Sequence, residues 1–280
     1  MKKMNSNYSL FLSTCDAYQD CWEPFFFLFK KYWPDFEGII YMVTDNLTFQ
    51  YEGLNIRCLN INTIKNIDPN TNLSWGKRMR WAMELIDSEI ILFMQEDFFI
   101  KGKVDNKQIN SFVDLMHNYS EIKCLHLTRP KIEDDSKSEF EHLFNMKLKQ
   151  KYRADCQPAL WRKKELYDVM ADGDTPWQFE MFGSKRSARM SHRYLIVDKS
   201  WVKKGEYEII PYVGTGIAKS QWEYDVIPVF EENGIEIDYS IRGFYDKGTI
   251  FKRIQRAMEW RLELYKREFF EMIGMKQSSF

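Results

Sequence analysis

The run Glu89-Ile90-Ile91-Leu92-Phe93-Met94-Gln95-Glu96-Asp97-Phe98-Phe99-Ile100 decides the fold class. Ile90, Ile91, Leu92, Phe93 and Met94 form an unbroken apolar run of strand length, which predicts a strand buried on both faces. Two adjacent carboxylates follow where it ends. In an open α/β sheet the carboxyl ends of the strands line the ligand crevice, and hard oxygen donors there suit a divalent cation that bridges phosphates. The pattern points to a nucleotide-phosphate site at the tip of this strand.

The flanking sequence extends the same architecture. Residues 75–87 carry apolar side chains at helical spacing (Met79, Ala82, Met83, Leu85, Ile86) and lead directly into the acid-tipped strand. Upstream, residues 8–12 read as a strand ending in the polar turn Ser13-Thr14-Cys15-Asp16, and residues 21–33 as a helix with Pro24 in its first turn and Pro34 stopping it. Residues 38–44 and 55–60 read as further strands. This βαβ alternation predicts an α/β fold with a mainly parallel central sheet and helices on both faces. The second half is less regular. Helices are expected over 106–119 and 160–170, with another opening in Thr175-Pro176-Trp177-Gln178-Phe179-Glu180. Strands are expected over 124–128, 191–198, 205–213 and 235–241. The charged stretch 132–151 reads as an exposed loop or solvated helix, and residues 214–222 as a glycine-hinged loop. Residues 249–280 read as a long amphipathic C-terminal helix, appended to one domain over 1–248.

Composition excludes several classes. The 280 residues carry a formal charge of -1, so there is no global basic field and nucleic acid is not an expected partner. No apolar stretch approaches the ~20 residues that span a bilayer, and no signal-peptide core is seen near the start, so a cytoplasmic protein is expected. The five cysteines are scattered without paired spacing, which speaks against a zinc site or a disulfide framework. The four histidines show no HxH or HExxH spacing, and neither GxGxxG nor a P-loop pattern occurs. A content of 16% aromatic residues suits both a large core and stacking on sugars or bases.

Four constellations carry chemistry. Glu96 and Asp97 are candidate phosphate and cation handlers, one of the two carboxylates ligating Mg²⁺ or Mn²⁺. Arg78, in Trp75-Gly76-Lys77-Arg78, offers forked donors to a diphosphate. The turn bearing Thr14, Cys15, Asp16 and Tyr18 can hydrogen-bond to and stack on a nucleobase. In Cys156-Gln157-Pro158-Ala159-Leu160-Trp161 and the Thr175 to Glu180 segment, Trp161 and Trp177 can wall a sugar ring, and Glu180 can take a proton from an attacking hydroxyl.

Taken together, the turn after the first strand, the Trp22-Glu23-Pro24-Phe25-Phe26 helix start, the block from Trp75 to Asp97, and the two later tryptophan segments resemble GT-A glycosyltransferases. Within these they resemble a bacterial branch linked to surface-polysaccharide synthesis. The resemblance implies a nucleotide-sugar donor, expected to be UDP-linked, over residues 1–105 and a glycan or lipid-linked glycan acceptor over 106–248. It implies base or ribose contacts from Thr14, Cys15, Asp16 and Tyr18, with Asp45 near the same pocket. Arg78 and Glu96 would meet the diphosphate, joined by Lys219 from the hinged loop and by Arg242. Gln157, Trp161 and Trp177 would meet the acceptor, and Glu180 would be the base of a displacement. Asp97, with Glu96, stands where that family carries a DxD metal motif. Gln95 replaces the first acid, and His192 is the one distant candidate for a late metal ligand. A lipid-carried acceptor would bring the basic C-terminal segment against the inner face of a membrane. Two other readings compete: a carbohydrate-binding or scaffold protein without turnover, and a nucleotidyltransferase, which the lack of a glycine-rich basic loop in the first turn disfavours.

Overall fold

The structure is a computed structural model that describes residues 8–68, 71–128, 136–246 and 248, together with 258, 262 and 266. The chain forms two compact units, Met1–Gly216 with Asp225–Glu236, and Ile217–Tyr224 with Ile237–Phe280.

The first unit is built on a nine-stranded sheet. Its elements in chain order are β1 (Ser9–Ser13), a short 3₁₀ turn (Asp16–Tyr18), α1 (Gln19–Tyr32), β2 (Ile40–Thr44), β3 (Ile56–Asn60), α2 (Ile61–Lys65), α3 (Trp75–Glu84) and β4 (Ile90–Gln95). They continue with α4 (Asn106–Asn118), β5 (Ile122–His126), β6 (Ser136–Lys137), β7 (Leu143–Asn145), β8 (Ala159–Arg162), α5 (Lys163–Val169) and α6 (Pro176–Gln178). A π-helical turn (Phe179–Gly183), α7 (Ser184–Met190) and β9 (Arg193–Val197) follow. In the second unit β10 (Ile217–Ala218) and β11 (Gln221–Trp222) make a hairpin, and the chain returns to the first unit for α8 (Val226–Glu232).

The strand order is β3-β2-β1-β4-β8-β5-β9-β7-β6. Its first four strands are all parallel, so the half of the sheet read from βαβ alternation is as expected. β7 and β8 run against the other strands, and the sheet remains mainly parallel in direction. The apolar runs explain the centre: every residue of β1, β2 and β8 is buried, and so is every residue of β4 before Gln95. α1 buries Cys21, Trp22, Phe25, Phe26, Leu28 and Phe29 at helical spacing, and each fully buried ring of this kind contributes roughly 1.5–3 kcal/mol. α4 starts on Asp105, whose carboxylate accepts the Gln108 N–H at 3.0 Å.

Several expectations are corrected. Residues 160–162 belong to β8 rather than to a helix, because Ala159–Arg162 is wholly buried and pairs with both β4 and β5; the helix starts only at Lys163. The stretch 205–213 forms no strand. Its Tyr212 makes an isolated antiparallel bridge to Ile100, and Tyr207 one to Lys203. Residues 235–238 are irregular and 239–241 form a turn, so no strand is present there. Part of the charged stretch is a hairpin, β6–β7, which extends the sheet through β9; Glu133, Asp134 and Asp135 lie outside the described residues. So does nearly all of the expected C-terminal helix at 249–280. Residues 214–222 are no open loop throughout, since the hairpin turn Lys219-Ser220 has positive φ at both residues (50° and 64°), as a tight two-residue turn requires.

Candidate active site

The ends of β1 and β4 lie side by side. Ser13 pairs with Gln95, and the Glu96 N–H donates to the Ser13 carbonyl at 3.3 Å, so the turn at Thr14 and the carboxylates of Glu96 and Asp97 emerge together. This is also where the order of the strands reverses in sequence, β1 being flanked by β2 on one side and β4 on the other. In sheets of this kind such a position opens a crevice.

Reciprocal hydrogen bonds join the β1 turn to the end of β2. The Asp16 N–H donates to Asp45 Oδ2 at 3.0 Å, and the Asp45 N–H donates to Asp16 Oδ1 at 2.8 Å. The other Asp16 oxygen accepts from the N–H groups of Asn46 and Leu47. Asp16 therefore binds two loops to each other and has little capacity left for a base or ribose. Thr14 is likewise spent internally: it is buried, and its hydroxyl accepts the Trp22 indole N–H at 2.8 Å. Ser13 receives the Trp75 indole N–H at 3.0 Å. Two tryptophans thus fix the turn, and of the expected contacts Cys15 and Tyr18 are half buried. The Cys15 pKa is pushed up to about 11 by burial and by the nearby Glu96 and Asp45 carboxylates, so it is a neutral thiol.

Arg78, on α3, reaches the same edge. Its guanidinium lies 2.8 Å from Asp45 Oδ1, with both side chains mostly buried. It supplies a positive charge beside Cys15, though one already paired with a carboxylate. Gly76 in the first turn of this helix permits close packing: a Cβ there would sit 2.1 Å from the Ala171 carbonyl oxygen.

Asp97 is held from the far side by Gly216, whose N–H faces both the Asp97 carbonyl oxygen (3.1 Å) and its Oδ2 (3.2 Å). The antiparallel β8 then brings residues 155–158 to this end, since its first residue, Ala159, pairs with Phe93 of β4 and His126 of β5. Gln157 is half buried, its side-chain oxygen accepting from the Tyr212 hydroxyl. Next to it the Cys156 N–H donates to Glu180 Oε1 at 3.2 Å.

Glu180 is placed by a well-specified local structure. Thr175 and Gln178 form a capping box with Pro176 in the first turn, which starts α6. A π-helical turn follows, and the Ser184 hydroxyl donates to the Glu180 carbonyl at 2.6 Å while receiving the Ala154 N–H at 3.1 Å. Burial, then the charge of Asp155, raise the Glu180 carboxyl to a pKa of about 7, and the Cys156 N–H only partly offsets them. A group that changes protonation near neutrality is well matched to accepting a proton from a hydroxyl. The Cys156 thiol is held far above its ordinary pKa by burial and by Glu180, Asp155, Asp97 and Asp174, which locates all four acids around it.

Other expected residues separate from this group. Trp161 is fully buried, its ring edge against Tyr194 at 5.4 Å, and it cannot wall a sugar; that expectation is corrected, the cause being its place on an interior strand. Trp177, by contrast, is 68% exposed. His192 bonds to Glu165 at 2.7 Å and is committed there. Lys219 and Arg242 belong to the second unit, where Arg242 donates to the Ser220 carbonyl. Asp155, His126 and Gly216 had not been singled out as site residues. A signal for Asp155 existed, a carboxylate at the mouth of a buried strand, as at Asp97.

Among the described residues no three His, Cys, Asp or Glu side chains converge as a ready metal cage. Asp97 and Glu96 fit the other mode open to Mg²⁺ and Mn²⁺, in which one or two carboxylates hold the ion and substrate phosphates supply most remaining ligands.

The fold is similar to that of TarS from S. aureus. A structure of its residues 1–349 aligns with TM-score 0.49 and 16% identity, over 84% of this chain and 68% of that one. The same piece in complex with UDP-GlcNAc gives 0.45 and 16%, over 84% and 69%. A UDP-glucose pyrophosphorylase complexed with UDP-glucose gives 0.43 and 9%, over 68% of this chain and 89% of that one. Against a longer TarS structure the chain spans 41% of the length. No protein-family model and no curated protein sequence matches the chain.

Proposed function

We propose that this protein transfers a sugar from a nucleotide-sugar donor to a hydroxyl of a glycan acceptor. The observation that carries the reading is the meeting, at one end of the sheet, of an adjacent carboxylate pair and a separate carboxyl with a raised pKa. Glu96 and Asp97 emerge beside the β1 turn, and Glu180, bonded to the segment that leads into β8, has a pKa of about 7. The raised pKa suits Glu180 to accepting a proton, which leaves the pair at the end of β4 for the phosphate side.

In this reading the nucleoside lies over the turn at Cys15 and Tyr18, and the diphosphate lies near Asp97, Glu96 and Arg78. Asp97 and Glu96 would hold Mg²⁺ or Mn²⁺, which when bound would neutralise charge on the departing diphosphate. Glu180 takes the proton of the acceptor hydroxyl as its oxygen attacks the anomeric carbon, and the bond from that carbon to the diphosphate oxygen breaks. The exposed Trp177, three residues before Glu180, offers an aromatic face to the acceptor. A glycan of a bacterial surface polysaccharide, free or lipid-linked, fits this arrangement, and UDP is the donor nucleotide proposed.

Calorimetric titration with UDP, GDP and CDP, each with and without Mn²⁺, tests the reading. One nucleotide is expected to bind more tightly with Mn²⁺, and Asp97→Asn should remove that enhancement while leaving the protein folded. Absence of nucleotide binding and of UDP-sugar turnover would overturn the proposal in favour of a protein without catalysis.

A further inference from the structure

The segment that ends at Gly216 runs back along the chain that leaves β4. Tyr212 makes an antiparallel bridge to Ile100, and the Val213 N–H donates to the Phe99 carbonyl at 2.9 Å. The Lys101 N–H donates to the Pro211 carbonyl at 2.9 Å, and the Gly216 N–H to Asp97. The backbone of Tyr212 is therefore fixed to the stretch that bears Asp97. Its ring lies 5.1 Å from that of Phe98, and only 7% of the residue is exposed. Burial holds its hydroxyl above the ordinary tyrosine range, so the hydroxyl keeps its proton and can donate.

That hydroxyl donates to Gln157 Oε1. Gln157 follows Cys156, whose N–H holds Glu180, and its own N–H donates to Asp155 Oδ1 at 3.2 Å. The bond from Tyr212 to Gln157 thus links the stretch carrying Asp97 to the stretch that holds Glu180. A side-chain amide has one acceptor oxygen and one nitrogen with two N–H donors. Oε1 is taken up by Tyr212, and among the described residues the amide nitrogen has no hydrogen-bond partner.

We infer that Tyr212 is a positioning residue that turns the Gln157 amide so that its N–H donors face the acceptor sugar beside Glu180. The acceptor then presents a lone pair at this point, on a hydroxyl, ring or carboxylate oxygen, and a group that can only donate is rejected. An amide free to turn would offer either end to the substrate. A fixed one discriminates, because a mismatched polar group is left unpaired. The inference rests on the proposed transfer to a glycan and adds the chemical character of the acceptor at one position.

The test is sugar transfer from UDP-glucose, UDP-galactose or UDP-N-acetylglucosamine to a panel of methyl glycosides, followed with the pair that the wild type turns over fastest. Tyr212→Phe keeps the ring on Phe98 and removes the hydroxyl. It is expected to raise the acceptor KM about three- to tenfold, the effect of one lost hydrogen bond, with kcat and UDP affinity little changed. Gln157→Glu can still accept from Tyr212 but has no N–H to offer, and should raise the acceptor KM at least as much. In the double variant the two effects should not add, because the hydroxyl acts only through the amide. An acceptor KM unmoved by Tyr212→Phe, a normal one in Gln157→Glu, or additive effects would each overturn the inference while sugar transfer stands. Absence of UDP-sugar turnover by the wild type would instead sink the proposed function, and this inference with it. NMR of the protein with ¹⁵N-labelled glutamine needs no substrate: the Gln157 side-chain signal, assigned by its loss in Gln157→Glu, should move in Tyr212→Phe, and a signal that stays in place would remove Tyr212 from the role.

Discussion

Glu180 combines two properties that favour different conditions, and a substitution separates them. With the carboxyl at about 7 against an ordinary 4.5, the native state binds this proton more tightly than the unfolded chain does. Its contribution to stability is therefore fully present below about 4.5 and is lost as pH rises through about 7. Glu180→Gln cannot ionise. Relative to the wild type it is expected to gain on the order of 2 kcal/mol on going from pH 5 to pH 8, measured by urea unfolding at both values. The same variant should lose about 10²–10⁴-fold in sugar transfer. An equal stability difference at the two pH values would mean that Glu180 titrates as an ordinary exposed acid. The sequence marked Glu180 through its neighbours, a Thr-Pro start with Gln178 three residues after the cap, but not its environment. What raises its pKa comes from Asp155, distant in sequence, and burial is a property of the packed chain.

At the scale of elements, legibility followed the length of the apolar run. β1, β2 and β4 each carry enough consecutive apolar residues to be seen alone. β8 has four residues and passes straight into α5, so its apolar Ala159, Leu160 and Trp161 look like the first turn of the helix that follows. On this interior strand Trp161 belongs to the core and does not wall a sugar. Gly216 is a contact of the same hidden kind, made between segments far apart in the chain. A Cβ at Gly216 would lie 2.4 Å from the Phe99 ring and 2.7 Å from the Asp97 carbonyl oxygen. Gly216→Ala is therefore expected to cost about 1–3 kcal/mol of stability and to weaken nucleotide binding by shifting Asp97. Gly214→Ala has open space around the new methyl and serves as the control. Equal effects of the two in urea unfolding and calorimetry would show that the Gly216 approach to Asp97 plays no part.

Across the whole molecule the sheet joins two kinds of pairing. Half of it grows by parallel neighbours in the order β3-β2-β1-β4, and the other half is mixed, with β8 and β7 antiparallel to their neighbours and β5 and β9 parallel to each other. A pattern of alternating strands and helices makes the first half readable, whereas nothing local announces that β8 will insert between β4 and β5. That insertion protects the centre. β1, β4 and β8 have paired neighbours on both sides and almost wholly buried residues, so their amides can exchange with solvent only when much of the first unit opens. The edges differ: β3 exposes Arg57, and both residues of β6 are exposed. The β10–β11 hairpin is a two-stranded ribbon of two residues each, too small to resist opening by itself. Hydrogen exchange followed by mass spectrometry should therefore find the slowest amides in β1, β4 and β8, with β3 and β6 faster by at least about tenfold and the β10–β11 hairpin faster still. Exchange in that hairpin as slow as in β1 would mean that the second unit opens only together with the first, and that the division of the chain into two units has no counterpart in its stability.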